Sequence, residues 1–269
     1  MSDAPPSASQ PSAAQPSAAQ SSAAQSSAAK TEPRLQIRIL PVTPLQQNCS
    51  LIWDTATGDA AFVDPGGETD KLMGALEHFG LTLKRIWLTH GHMDHAGAAA
   101  ELRELTGVQV EGPHKDDQFW LDQVEAAGRK YGIEGGRNVT PDRYLSDGDT
   151  LELAGVTFDV AHTPGHTPGH VVIHNRDAKI AFVGDVLFAG SIGRTDFPRG
   201  NHQDLIDSIT GKLWPLGEDM TFVPGHGPVS TFGQERATNP FVADALTGYG
   251  GAPRSKASAF DQKTAKRFT

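Results

Sequence analysis

A mixed α/β fold, with two sheets and helices packed outside them, is predicted by three features of this 269-residue sequence. Short β-like runs and helical runs alternate along the chain. Strand-rich stretches separate the helices, which a single doubly wound sheet does not have. Several strands end directly in His or Asp: Leu88 before Thr89-His90, Ala161 before His162, Val183 before Gly184-Asp185, and Val223 before Pro224-Gly225-His226. Polar residues on loops at strand ends are where a rigid scaffold holds a site.

Each element has its own signal. Leu35–Leu40 alternates apolar and polar residues with the period of a strand. Cys49–Trp53 and Ala60–Val63 are further β-like runs, the second closed by the turn signal Asp64-Pro65-Gly66-Gly67. Lys71–Phe79 places Leu72, Ala75, Leu76 and Phe79 at helical spacing, and Gly80 follows as a helix stop. Arg85–Leu88 is a short strand, Ala98–Leu105 a helix stopped by Gly107, Val108–Val110 a strand and Gln118–Ala127 a helix. Thr150–Leu153, Val156–Ala161, Val171–Ile173 and Ile180–Val183 are strand-like. His202–Leu213 is predicted helical from Leu205, Ile206, Ile209 and Leu213, and Thr221–Val223 is a last strand.

Composition bounds the function. Hydrophobic residues make up 38% and charged residues 20%, a globular balance. The net charge of −9 argues against a nucleic-acid partner, because an acidic surface repels phosphates. The single cysteine, Cys49, allows no disulfide framework and no cysteine-based zinc site. No stretch approaches the roughly 20 apolar residues of a membrane span. The N-terminus has no apolar core of a secretion signal, so a cytoplasmic location is expected. Residues 6–30 repeat a five-residue unit of Ala, Ser, Gln and Pro without a large apolar side chain. Such a segment cannot offset its ordering entropy by burial. The expected organisation is a disordered tail over 1–34, a catalytic domain over 35–249 and a basic flexible tail over 250–269.

The strongest chemical signal is Thr89-His90-Gly91-His92-Met93-Asp94-His95, with four ligand-type side chains inside six residues. Histidine is the commonest metal ligand, and aspartate adds charge compensation. A turn after a strand can aim His90 and His92 at one ion, while Asp94 and His95, opening a helix, face a second. Thr163-Pro164-Gly165-His166-Thr167-Pro168-Gly169-His170 adds a rigid loop in which His166, His170 or the preceding His162 can be a ligand. Asp185 after a buried strand and His226 in Pro224-Gly225-His226-Gly227-Pro228 complete the candidates.

In this order the motifs resemble the metallo-β-lactamase superfamily, and within it the glyoxalase II (hydroxyacylglutathione hydrolase) branch. The resemblance runs from about Leu35 to Val242. It is nearest to the compact single-domain bacterial hydrolases of that branch, which share Gln47-Asn48-Cys49, Val63-Asp64-Pro65-Gly66-Gly67 and Gly193-Arg194-Thr195-Asp196-Phe197. It implies a four-layer αβ/βα sandwich. It implies His90, His92 and His166 on a first metal, Asp94, His95 and His226 on a second, and Asp185 bridging them. It selects His166 over His162 and His170. The implied cofactors are two divalent ions, Zn2+ first and Fe2+ or Mn2+ next. Asp94 and Asp185 are the implied catalytic residues, and a small-molecule thioester such as S-lactoylglutathione is the implied substrate.

Two departures bear on substrate. Full-length hydroxyacylglutathione hydrolases append a helical C-terminal domain, whereas 43 residues follow His226 here. Arg194 and Asp196 stand where the family has a glutathione-contacting Lys and Tyr. Arg194 is retained as a substrate-binding candidate because guanidinium pairs bidentately with a carboxylate. The alternatives are a persulfide dioxygenase using one iron on His90, His166 and Asp185, and a non-enzymatic metal-binding protein.

Overall fold

The computed structural model describes Met1 and residues 34–249. The two expected tails therefore lie outside the described residues, apart from Met1 and Arg34. The first sheet runs in strand order β1 (Leu35–Val42), β2 (Gln47–Asp54), β3 (Asp59–Val63), β4 (Thr82–Trp87) and β5 (Gln109–Glu111). Its first two pairings are antiparallel and its last two parallel. The second half begins with β6 (Thr150–Leu153), β7 (Val156–His162), β8 (Val171–Asn175) and β9 (Ile180–Gly184). A small hairpin follows, β10 (Leu187–Phe188) with β11 (Ser191–Ile192). With β12 (Thr221–Pro224) and β13 (Ser230–Thr231), the second sheet has the order β13-β12-β9-β8-β7-β6.

Side-chain alternation along the strands divides the core into three apolar layers. Between the sheets lie Ile37, Ile52, Val63 and Trp87 from the first, facing Phe158, Ile173, Phe182 and Val223 from the second. The neighbouring residues Leu51 and Phe62 point the other way, toward Leu72 and Leu76 of α1 (Thr69–Phe79). Behind the second sheet, Val172, Ala181 and Phe222 meet Leu205, Ile209 and Trp214. Successive strand residues face opposite sides. Two sheets with both outer faces covered by helices are the four-layer αβ/βα arrangement.

The helices show where periodicity alone was insufficient. Helix α1 ends at Gly80, whose left-handed backbone returns its N–H to the last turn. Helix α2 (Met93–Ala96) carries Asp94 and His95, and α3 (Ala99–Thr106) follows it. The helix expected over 118–127 is two: α4 (Gln118–Leu121) and α5 (Val124–Tyr131). Asn138 makes the break. Its amide donates to Asp122 O at 2.7 Å and its carbonyl accepts from Glu125 N–H at 3.0 Å, capping both ends. The helix expected over 202–213 is α6 (His202–Ser208), after which the chain widens into a π turn over Ile209–Leu213. Pro215, lacking an N–H, cannot continue the α ladder there. The hairpin, β13, α7 (Phe232–Thr238) and α8 (Asp244–Thr247) were not predicted, being too short for a readable period. No helix among the described residues is long and apolar enough to cross a membrane.

The inter-sheet layer is the part most sensitive to volume. Phe158 is fully buried and meets the Trp87 ring edge-on at 5.1 Å between centroids. Truncation to Phe158→Ala is expected to cost about 3–5 kcal/mol, read as a lowered midpoint in urea unfolding without a change in slope.

Candidate metal centre

The seven His and Asp candidates converge at one edge of the sandwich, from loops at the ends of strands in both sheets. His90 and His92 follow β4, while Asp94 and His95 occupy α2. His166 lies in the loop between β7 and β8, Asp185 directly follows β9, and His226 follows β12. All are buried except His226, whose side chain is 29% exposed.

Their atoms form two groups. His92 Nδ1 lies 3.1 Å from both His90 Nε2 and His166 Nε2. His226 Nε2 lies 3.1 Å from Asp94 Oδ2, and His95 Nε2 lies 3.9 Å from the same oxygen. Asp185 stands between the groups. Its Oδ1 is 3.4 Å from His95 Nε2, and its Oδ2 is 3.6 Å from His166 Nε2 and 3.9 Å from His226 Nε2.

Hydrogen bonds to the far side of four of the five rings decide which nitrogen faces inward, while His92 turns Nδ1 inward without one. His166 Nδ1 donates to Arg194 O at 2.8 Å, and His226 Nδ1 donates to Leu45 O at 3.2 Å. Carbonyl oxygens only accept, so these Nδ1 atoms carry the proton and the Nε2 lone pairs point into the centre. His95 Nδ1 donates to Asp64 Oδ2 at 2.9 Å. Thr89 Oγ1 donates to Asp64 at 2.6 Å and accepts from His90 Nδ1 at 3.1 Å. Such outer hydrogen bonds fix the tautomer of metal-ligating histidines.

The electrostatics agree with a cation site. Burial pushes His90 and His92 well below the usual imidazole range, and the crowded neighbouring rings push the same way except that Asp94 opposes at His92. Burial also lowers His166. Burial would lower His95 too, but Asp185, Asp94 and Asp64 lift it to about 9. Burial would raise Asp94, but His95 and His226 hold it well below the usual carboxylate range. Facing neutral lone pairs beside clustered carboxylates favour a positive charge. His95 Nε2 and Asp185 Oδ1 are buried without a hydrogen-bond partner. Divalent metal ions fit this donor set of imidazoles and carboxylates.

Asp64 and Asn48, beside the site, were not singled out as site residues from sequence. Asp64, read as part of a turn, accepts from Thr89 N–H, Thr89 Oγ1 and His95 Nδ1. It has a left-handed backbone (φ 52°), an uncommon conformation for Asp and the one local hint of a special position. Asn48 donates to Pro224 O at 3.0 Å and Gly227 O at 2.8 Å, bracketing His226. His170 stacks on His90 at 4.7 Å and accepts from Asp185 N–H at 3.1 Å. His162 donates to Pro168 O and stacks on His114, away from the two groups. The Arg194 side chain is exposed and pairs with Asp196 through two hydrogen bonds, at 2.8 and 2.9 Å.

A metal-dependent hydrolase scaffold is the class that this fold and site define, and the chain belongs to the metallo-beta-lactamase superfamily, whose sequence profile matches residues 42–226. Within it the chain is glyoxalase II-like. It is 46% identical to a protein of Haemophilus influenzae named hydroxyacylglutathione hydrolase GloC, over 77% of this chain and 98% of the relative. Among solved structures it is similar to the BLEG-1 B3 metallo-beta-lactamase, with 36% identity and a TM-score of 0.71 over 77% of this chain and 99% of the other. It is also similar to TTHA1623, solved in a di-iron-bound form, with 36% identity and a TM-score of 0.69 over 76% and 99%.

A histidine must be neutral to ligate. With His95 lifted to about 9, a cation binding beside it expels a proton, so affinity rises as pH increases from 6 toward 9. Titration calorimetry in buffers of different ionisation enthalpy is expected to show proton release on metal binding at pH 7. Absence of buffer dependence would contradict the assignment.

Proposed function

We propose that this protein is a dinuclear-metal hydrolase that cleaves an acyl thioester, with S-lactoylglutathione as the first substrate to test. The observation that carries the reading is Asp185 standing between two groups of three ligand-type side chains. The name of the Haemophilus relative supports the substrate class. In this reading His90, His92 and His166 would hold one cation and Asp94, His95 and His226 the other, with Asp185 lying between the two groups. Zinc is the first choice, with iron next, supported by the di-iron form of a structural relative.

Bound there, two divalent cations would supply Lewis acidity and would lower the pKa of water. The chain's own residues supply placement. Asp185 offers a buried, unpartnered Oδ1 on one side and Oδ2 on the other. Asp94 stays ionised at neutral pH, which suits it to accept a hydrogen bond from an attacking water and orient it rather than to store its proton. A thiolate with a pKa of about 8.5 leaves without a proton donor, so a thioester makes no demand for a general acid. Phe197 lies 4.8 Å from the His92 ring, and the Arg194 guanidinium sits 4.5 Å over Phe197. A substrate carboxylate at this wall would exchange with Asp196 for the Arg194 fork.

The test is a thioester panel run alongside metal analysis. Hydrolysis of S-lactoylglutathione is expected, lost on chelation and restored by Zn2+ or Fe2+. Asp185→Asn is expected to lower kcat and bound metal together, by at least the roughly 10–100-fold typical of groups one shell further out. Oxygen uptake with glutathione persulfide by the iron-loaded protein, without thioester hydrolysis, would replace this reading with the single-iron dioxygenase. Turnover of a lactam alone would also overturn it.

A further inference from the structure

Asp117 is a fully buried carboxylate outside the two ligand groups. It closes a short 3-10 turn, Lys115–Asp117, between β5 and α4. Its Oδ2 accepts from Gly91 N–H at 2.9 Å and from Thr167 Oγ1 at 2.7 Å, and its Oδ1 accepts from Gly169 N–H at 2.6 Å. The backbone adds a fourth tie, His114 N–H to Gly169 O at 3.0 Å.

These partners belong to two loops from different sheets. Gly91 lies between His90 and His92, and Thr167 directly follows His166. One carboxylate thus joins the chain segments carrying all three imidazoles of the first group. The approach is close enough to exclude side chains. A Cβ at Gly169 would fall 2.5 Å from Asp117 N, and one at Gly91 would fall 2.8 Å from Asp117 O. Burial opposes ionisation of Asp117 and pushes it up to about 6, against the three hydrogen bonds. A buried charge is a weak source of net stability, but its hydrogen bonds are directional.

We propose that Asp117 is a positioning residue that sets the spacing of His90 and His92 against His166 and so tunes the first cation site selectively. This rests on the reading that these three imidazoles hold one ion. Asp117 itself touches neither substrate nor ion. Asn in its place keeps the size but brings an NH2 against groups that already donate. Thr167 is the complementary probe, since Val removes the hydroxyl and Ser keeps it.

The experiment is a cobalt(II) titration of the metal-stripped full chain, following the visible d–d bands with a competing chelator. It uses no thioester, so an error in substrate class leaves it intact. Asp117→Asn is expected to weaken one of the two cobalt equivalents by about tenfold or more and to change its bands, leaving the other unchanged. Thr167→Val is expected to weaken the same equivalent by less, and Thr167→Ser to restore it. Should Asp117→Asn fail to fold, the Thr167 pair carries the test. Wild-type affinities and bands in both Asp117→Asn and Thr167→Val would overturn the proposal. Equal weakening of both equivalents, with a lower melting temperature of the metal-free variant, would reduce Asp117 to a structural role. If the wild type takes one equivalent only, the two-cation reading fails. Asp117 is then judged on that ion, and unchanged affinity in Asp117→Asn overturns the proposal.

Discussion

The organisation of this molecule depends on what lies behind the histidines. Four imidazoles of the centre have Nδ1 tied to an oxygen: Thr89 for His90, Asp64 for His95, Arg194 O for His166 and Leu45 O for His226. Each tie settles the tautomer and the ring orientation together. His90 Nε2 and His166 Nε2 then each come within 3.1 Å of His92 Nδ1. The oxygens behind the four tied rings hold this arrangement.

The framework of the molecule is the pair of sheets. Strands β4 and β9 end at the same edge of the sandwich, so the residues just beyond them leave the apolar layers together. Trp87, Phe158 and Phe182 fill the space between the sheets immediately inside. A rigid apolar floor allows loops above it to be set by a few hydrogen bonds. Asp64 and Asp117 each use such bonds, with three acceptor contacts apiece.

Much of this could be read in the sequence, for definite reasons. Alternation in β1 and the unbroken apolar runs of β8 and β9 survive because a strand's period is short. One expected helix is broken where a distant side chain intervenes, Asn138 at residues 122–125, and the other gives way to a π turn ahead of Pro215. Metal-ligand types crowd into compact motifs, and the structure brings the seven candidates together. The choice between His166 and His170 was beyond local spacing. In the structure the β7–β8 loop turns His166 toward His92 and His170 beneath His90. Asp64, Asn48 and Asp117 stayed hidden because a solitary Asp or Asn looks the same at a turn as at a site. Their partners lie 25 to 179 positions away in the chain.

The Asn48 clasp has a bearing on how the protein is made. It fastens the second strand of the fold to the carbonyls of Pro224 and Gly227, on either side of His226. A nascent chain carries Asn48 early but lacks its acceptors until Gly227 has been made. Imidazoles at 90, 92 and 95 are made long before those at 166 and 226. The seven candidate side chains can therefore converge only after His226 and the two acceptors of Asn48 have been made.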